Sequence, residues 1–251
     1  MRDIIRSSMT DHSPELRIAS TWLRWARWLQ VPVYVLVLIG LYGTFIYAPT
    51  ERVMGDVQRI FYHHVAAAFD AFLAFFIVFV AGIAYLVTRK VVWDQLAAAA
   101  VEVGIVFTTI VLTTGPAWAK PVWNTWFPWG DPRVMTTLVL WLIYVAYLIL
   151  RSSLPEGDKK YKFCAVFGII GFLDVPIVWM SIRWWRTIHP VVITSSGANL
   201  EPRMLQTLLA TILAWLVVLC ALVLLRGSMR LHGLAAEQLK QEILDRRRSA
   251  A

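Results

Sequence analysis

Histidine and tryptophan are the residues in this chain whose placement asks for chemistry. Of five histidines, His12 and His232 fall in charged terminal stretches, whereas His63 and His64 open one apolar run and His189 follows another. Between these positions, the stretch from Gly115 to Arg133 carries Trp118, Trp123, Trp126 and Trp129, four of the thirteen tryptophans. One or two indoles would be an aromatic belt at a membrane surface. Four within twelve residues, interrupted by prolines and joined to Asp131, form a platform for a large flat ligand. Imidazole is a standard axial ligand of heme iron. Two imidazoles from separate segments would hold opposite faces of such a ring and leave its edge to the indoles.

A second aromatic pair, Trp184 and Trp185, precedes His189 and is flanked by Arg183 and Arg186. Arg binds carboxylates through paired hydrogen bonds, so Lys120, Arg133, Arg183 and Arg186 are candidate partners for the two propionates of a heme. On a helix His63 and His64 point about 100° apart, so only one can face a given pocket. Residue spacing alone leaves that choice open.

Such residues need elements to hold them, and the composition says which. With 59% hydrophobic and 16% charged residues among 251 and a mean hydropathy of +0.62, the chain has too little polar surface for a soluble globule. Six apolar runs, Val31 to Tyr47, Val65 to Val87, Gln95 to Thr113, Val134 to Leu150, Phe163 to Ile182 and Met204 to Leu225, each approach the roughly 20 residues a bilayer crossing takes. The expected fold is an all-α integral membrane protein with six transmembrane helices and a Trp-rich outer loop between helices 3 and 4. Seventeen Lys and Arg flank one side of these runs and seven the other. The positive-inside rule puts the richer side, with both termini, in the cytoplasm.

Three parts follow from this reading: a cytoplasmic N-terminal segment over 1–30, a six-helix membrane domain over 31–225, and a basic cytoplasmic tail over 226–251. In the first, Trp22, Trp25 and Trp28 alternate with Arg24 and Arg27 at helical spacing, which suits a short interfacial helix. No cleavable signal is evident.

The net charge of +8 belongs to topology and anionic lipid, with no nucleic-acid partner expected. Cys164 and Cys220 both lie in apolar runs without a C-x-x-C pattern, so neither a redox pair nor covalent heme attachment is indicated. A Walker-type phosphate loop is absent, so any ATP-driven step belongs to a partner. Asp70, Glu102 and Asp174 fall inside apolar runs, where an ionisable group is costly. Polar pairing within the bundle is the expectation for them, and for Asp174, two residues before Pro176, bonding to backbone groups freed by a kink.

Taken together, Tyr62-His63-His64-Val65-x-Ala67-Ala68, the run from Gly115-x-Ala117-Trp118-x-Lys120-Pro121-x-Trp123 through Trp126, Trp129, Asp131 and Arg133, and Trp184-Trp185-x-Thr187-x-His189 occur in order along the chain. In this the sequence resembles the heme-handling membrane proteins with a tryptophan-rich "WWD" loop, of the CcmC type of cytochrome c maturation. The resemblance selects His64, the histidine directly before Val65, and pairs it with His189 as iron ligands. It implies non-covalent, transient binding of heme b by the Trp loop at the periplasmic face of the bacterial inner membrane, or of the equivalent organellar membrane. It also implies partners: a membrane-anchored heme chaperone of the CcmE type, ABC transporter subunits of the CcmA and CcmB types, and a small CcmD-type subunit. The sequence departs from the family pattern at Gly130, an added residue before Asp131, and at Pro132.

The chain thus reads as a binding and delivery component, not an enzyme. Two other readings compete: an electron-transferring membrane cytochrome of b type, with a permanent heme, and a heme-free structural or permease subunit whose tryptophans only anchor the bundle.

Overall fold

The computed structural model describes residues 14–189, 193–194, 197–198 and 200–249. Residues 1–13, with His12, and the last two residues of the expected tail lie outside the described residues. Among the described residues, seven α-helices carry the architecture: α1 (Pro14–Tyr42), α2 (Arg59–Thr88), α3 (Val91–Trp123), α4 (Pro132–Ser153), α5 (Asp158–Phe172), α6 (Asp174–Trp184) and α7 (Pro202–Ser249). A π-helical turn, Gly43–Tyr47, extends α1, a 3-10 turn, Asp56–Gln58, precedes α2, and a two-residue hairpin pairs Ile193–Thr194 with Gly197–Ala198 before α7. With α5 and α6 counted as one crossing, six segments among the described residues are long and apolar enough to span a membrane.

The fifth crossing breaks for a reason visible in the sequence. Pro176 lacks an N–H, and its ring clashes with the carbonyl four residues back. That residue is Phe172, the last of α5; the Leu173 N–H turns instead to the Ile170 carbonyl at 3.1 Å. The Asp174 carboxyl does not take up the slack, since its Oδ2 is buried without a partner. This corrects the expectation that it bonds backbone freed by the proline.

Three further boundaries differ from the sequence reading. The tryptophan-rich segment around Thr21 to Gln30 is no separate element but the start of α1, and the tail from Gly227 continues α7 without a break. Likewise α3 does not stop near Thr113. It runs through Pro116 and Pro121 to Trp123 and ends where Asn124 takes a left-handed conformation, φ 56°.

Close approach of small residues holds the bundle together, as lipid supplies no hydrophobic drive between helices. A Cβ on Gly104 would stand 2.6 Å from the Phe75 ring, and one on Gly227 2.6 Å from Trp22. Phe75 in turn stacks on Tyr144 at 3.8 Å, which joins α2, α3 and α4 in one core. At the end remote from the Trp118–Trp129 stretch, charge does the same work. Arg151 grips Asp94 through two bonds of 2.8 and 2.6 Å, and Glu102 takes Arg226 and Arg230 from α7 at 2.6 and 2.5 Å. Glu102 is therefore a pairing residue, as expected. The Asp70 Oδ2 is buried without a partner. Cys164 is buried, while Cys220 lies exposed on the surface of α7.

Candidate functional site

The start of α2, the end of α3, the start of α4 and the end of α6 meet at one end of the bundle around a cleft. It encloses about 1450 Å³, open mouth included, and His64, His189, Trp118, Trp123, Arg133 and Arg183 all line it. The two histidines proposed from sequence thus line one cavity, from α2 and from the segment after α6.

Accounting for donors fixes the His64 tautomer. Thr114 has one hydroxyl hydrogen, which it donates to the Ile110 carbonyl at 2.6 Å. Its oxygen, 2.8 Å from His64 Nδ1, must therefore accept. That leaves the proton on Nδ1 and the lone pair on Nε2, the state in which an imidazole ligates a metal. His63 is spent elsewhere. Trp215, a pure donor, gives its indole N–H to Nδ1 at 3.2 Å, and Nε2 stands 3.2 Å from the Thr44 hydroxyl in the π-turn. Both ring nitrogens of His63 are thus engaged in tying α2 to α1 and α7.

His189 lies beyond α6 in irregular chain, so something must hold it. Asp131 does so from the cap position just before α4. Its Oδ1 caps the helix, accepting from the Arg133 and Val134 N–H groups at 3.0 and 3.2 Å, with Pro132 at the first helical position. Its Oδ2 accepts from the Thr187 hydroxyl and, at 3.2 Å, from the Ile188 N–H. Thr187 Oγ1 then accepts from the His189 N–H at 2.9 Å. The His189 ring follows, its buried Nδ1 3.6 Å from Asp131 Oδ1 without a hydrogen bond and its ring edge-to-face with Trp123, centroids 5.6 Å apart. Burial pushes the Asp131 carboxyl up, but the His189 imidazole, the Thr187 hydroxyl and the Val134 N–H outweigh it and hold the group well below the usual carboxylate range. The residue added at Gly130 is absorbed in the turn before the cap, where a Cβ would meet nothing.

The four tryptophans divide. Trp118 and Trp123 stand on the helical extension of α3, edge to face at 4.8 Å, and line the cleft. Trp126 and Trp129 are 64% and 69% exposed and lie outside it, as do the exposed Trp184 and Trp185. The expected four-indole floor is therefore a two-indole wall, because helix continues to Trp123 and only 124–131 is loop. Phe127 and Pro128 from that loop complete the wall. Among the candidate cations, Arg133 and Arg183 reach the cleft, whereas Lys120 is outside it and donates to Asn124 at 3.1 Å; Arg186 is exposed. Thr114 was missed by the sequence reading, since nothing along the chain marks a threonine fifty residues from the histidine it supports.

The family model described as CcmC, heme exporter protein C, matches residues 9–242. The chain belongs to this family. It is 32% identical over 199 residues to heme exporter protein C of Escherichia coli strain K12, with 79% of this chain and 80% of the relative covered. Heme exporter protein C of Bradyrhizobium diazoefficiens is 28% identical over 217 residues, covering 86% and 82%, and that of Rhodobacter capsulatus 26% over 237 residues, covering 93% and 98%. Membership makes this CcmC-family chain a multi-pass protein of the inner membrane with a general role in heme handling for cytochrome c biogenesis, as a handling component and not an enzyme.

Proposed function

We propose that the chain holds heme b non-covalently between His64 and His189 at the periplasmic face of the inner membrane and passes it to a membrane-anchored chaperone for c-type cytochrome assembly. One observation carries the reading: two imidazoles from α2 and the segment after α6 line a single cleft, His64 with its Nδ1 on Thr114 Oγ1 at 2.8 Å and His189 with its buried Nδ1 3.6 Å from Asp131 Oδ1, without a hydrogen bond. For His64 that arrangement leaves Nε2 for a metal and sets its basicity through the far nitrogen.

The cleft suits a porphyrin. Its walls are mostly apolar, Arg133 and Arg183 supply charge for two propionates, and the buried Trp118 indole N–H, unpartnered in the protein, gains use against a ligand acceptor. Heme bound there brings its own redox and vinyl chemistry. The residues of this chain bind, orient and shield it. The excess of Lys and Arg at the opposite end of the bundle supports the orientation, with the cleft away from the cytoplasm. The exposed Trp126, Trp129, Trp184 and Trp185 beside the mouth are surfaces for an acceptor of the CcmE type. Contacts with CcmA-, CcmB- and CcmD-type subunits belong to the same proposal and rest on the family alone.

The test is an absorption spectrum of the purified protein beside three variants. His64→Ala and His189→Ala are expected to lose or shift the Soret band, and His63→Ala to keep it. An equal effect of all three overturns the ligand assignment, and a permanent heme that cycles without leaving would favour a b-type cytochrome instead.

A further inference from the structure

The cleft does not end at the histidines. Its wall on α2 runs from Phe61 past His64 to Ala71 and Phe72, and on the other side takes in Leu140, Val178 and Trp179. Eight residues separate His64 from Phe72, about 12 Å along a helix, and Phe72 lies thirteen residues into α2, roughly 20 Å from its start. In a hydrocarbon core of about 30 Å, the deep part of this cavity is at lipid depth.

That depth is apolar throughout. The two hydroxyls on its wall are already committed, Thr108 donating to the Gly104 carbonyl at 2.7 Å and Thr137 to the Arg133 carbonyl at 2.7 Å. On one flank it is thinly closed. α6 packs against α4 and α5, and meets α2 through rings: Trp179 stands 5.8 Å from Phe69 and 6.3 Å from Phe72, centroid to centroid, tilted and edge-on. All three rings are partly exposed and line the cleft. Immediately above them Arg183 lines the mouth and places its guanidinium 6.0 Å from the Trp179 ring.

We infer that the cleft loads sideways from the bilayer, through the seam between α2 and α6, with Trp179, Phe69 and Phe72 as the gate. The inference rests on the proposed heme site and adds the phase from which the ligand comes. A flat amphiphile with two carboxylates lies in a membrane with its ring among acyl chains and its charges at headgroup level. Sliding edgewise through this seam, it keeps its ring in apolar surroundings and its carboxylates at the height of Arg183 and Arg133. No charge is dehydrated on the way. Entry from water would instead require a poorly soluble ring to leave its carrier first.

The test locks the seam after folding. In a Cys164→Ala, Cys220→Ala background, Phe69→Cys and Trp179→Cys are joined by a short bismaleimide in the heme-free full-length protein, reconstituted in phosphatidylcholine vesicles. Loading is followed by the Soret band from two sources, hemin dissolved in phosphatidylcholine vesicles and hemin on serum albumin. The expected result is loading from vesicles at least about tenfold slower after cross-linking than before, and faster loading in an uncross-linked Phe69→Ala, Trp179→Ala protein. Unchanged vesicle loading after cross-linking overturns the inference while leaving the heme site intact. A protein that develops no Soret band from either source, cross-linked or not, overturns the site and the inference with it.

Discussion

Asp131 caps α4, ties down the segment that bears His189, and sets a negative charge beside its ring, and the three roles can be separated by substitution. Asp131→Ala removes all of them. Loss of the cap costs about 0.5–2 kcal/mol, and the Ile188 N–H and Thr187 hydroxyl lose their buried acceptor at about 1–3 kcal/mol. Asp131→Asn keeps the cap, because Asn serves there as well as Asp, and keeps Oδ1 on the Arg133 and Val134 N–H groups. It replaces the oxygen that faces Ile188 with an amide that cannot accept, and deletes the charge 3.6 Å from His189 Nδ1. The expected outcome for Asp131→Asn is a stability loss limited to the stranded Ile188 and Thr187 donors, about 1–3 kcal/mol, with heme affinity about 10- to 100-fold lower, the usual effect of losing a partner behind a metal-binding histidine. Asp131→Ala should lose the cap's share of stability as well. The assay is a Soret titration with ferric heme in detergent, paired with thermal unfolding of the same samples. Wild-type heme affinity in the Asp131→Asn protein would refute the reasoning and leave Asp131 a helix cap only.

Acid should reveal the same group. Its folded pKa lies below the ordinary 3.8, so its stabilisation is complete above that value and is lost as pH falls beneath it. The stability gap between wild type and Asp131→Asn, read by thermal unfolding, should be flat from about pH 7 to 5 and narrow below about 4. Thr114→Val keeps the shape but removes the acceptor of the His64 N–H; heme affinity should fall about tenfold, and unchanged binding would remove Thr114 from the site. Trp118→Ala and Trp123→Ala should weaken heme binding in a Soret titration, whereas Trp126→Ala and Trp129→Ala, outside the cleft, should leave affinity near wild type and slow transfer to the chaperone. At the other end, Arg151→Met strands the buried Asp94 carboxylate and should cost about 3–5 kcal/mol in thermal or denaturant unfolding, with Asp94→Leu added to it restoring much of the loss.

The six crossings were legible because each apolar run announces itself by length, and the resemblance, by singling out the residue before Val65, named two histidines that line one cleft. What was not legible has a common cause. Pro116 and Pro121 read as loop residues, yet α3 passes through both, because a helix end at a membrane surface can do without two N–H bonds more easily than a mid-membrane segment can. That extension moved Trp118 and Trp123 onto a helix face and left Trp126 and Trp129 outside, a division that counting tryptophans could not foresee. Thr114 holds the His64 imidazole and Thr187 the His189 backbone N–H, and both bond across gaps of fifty or more residues, Thr114 to His64 and Thr187 to Asp131. Such partners become visible only when the helices are packed.

The two histidines are held in unlike ways, and the difference bears on what a carrier must do. His64 is part of a thirty-residue helix whose rotation is pinned by its neighbour His63 through Trp215 and Thr44, so that ring can move only with the bundle. His189 lies in irregular chain and owes its place to a short relay, Asp131 to Thr187 to the His189 N–H. Irregular segments open at far lower cost than packed helices. A ligand gripped by both therefore has one fixed and one releasable attachment. The releasable one stands beside the exposed Trp184 and Trp185, where an acceptor would touch the chain. On the proposed function, an acceptor that competes for the Asp131–Thr187 relay would free the ligand without disturbing the six-helix core, and binding could be firm without release being slow.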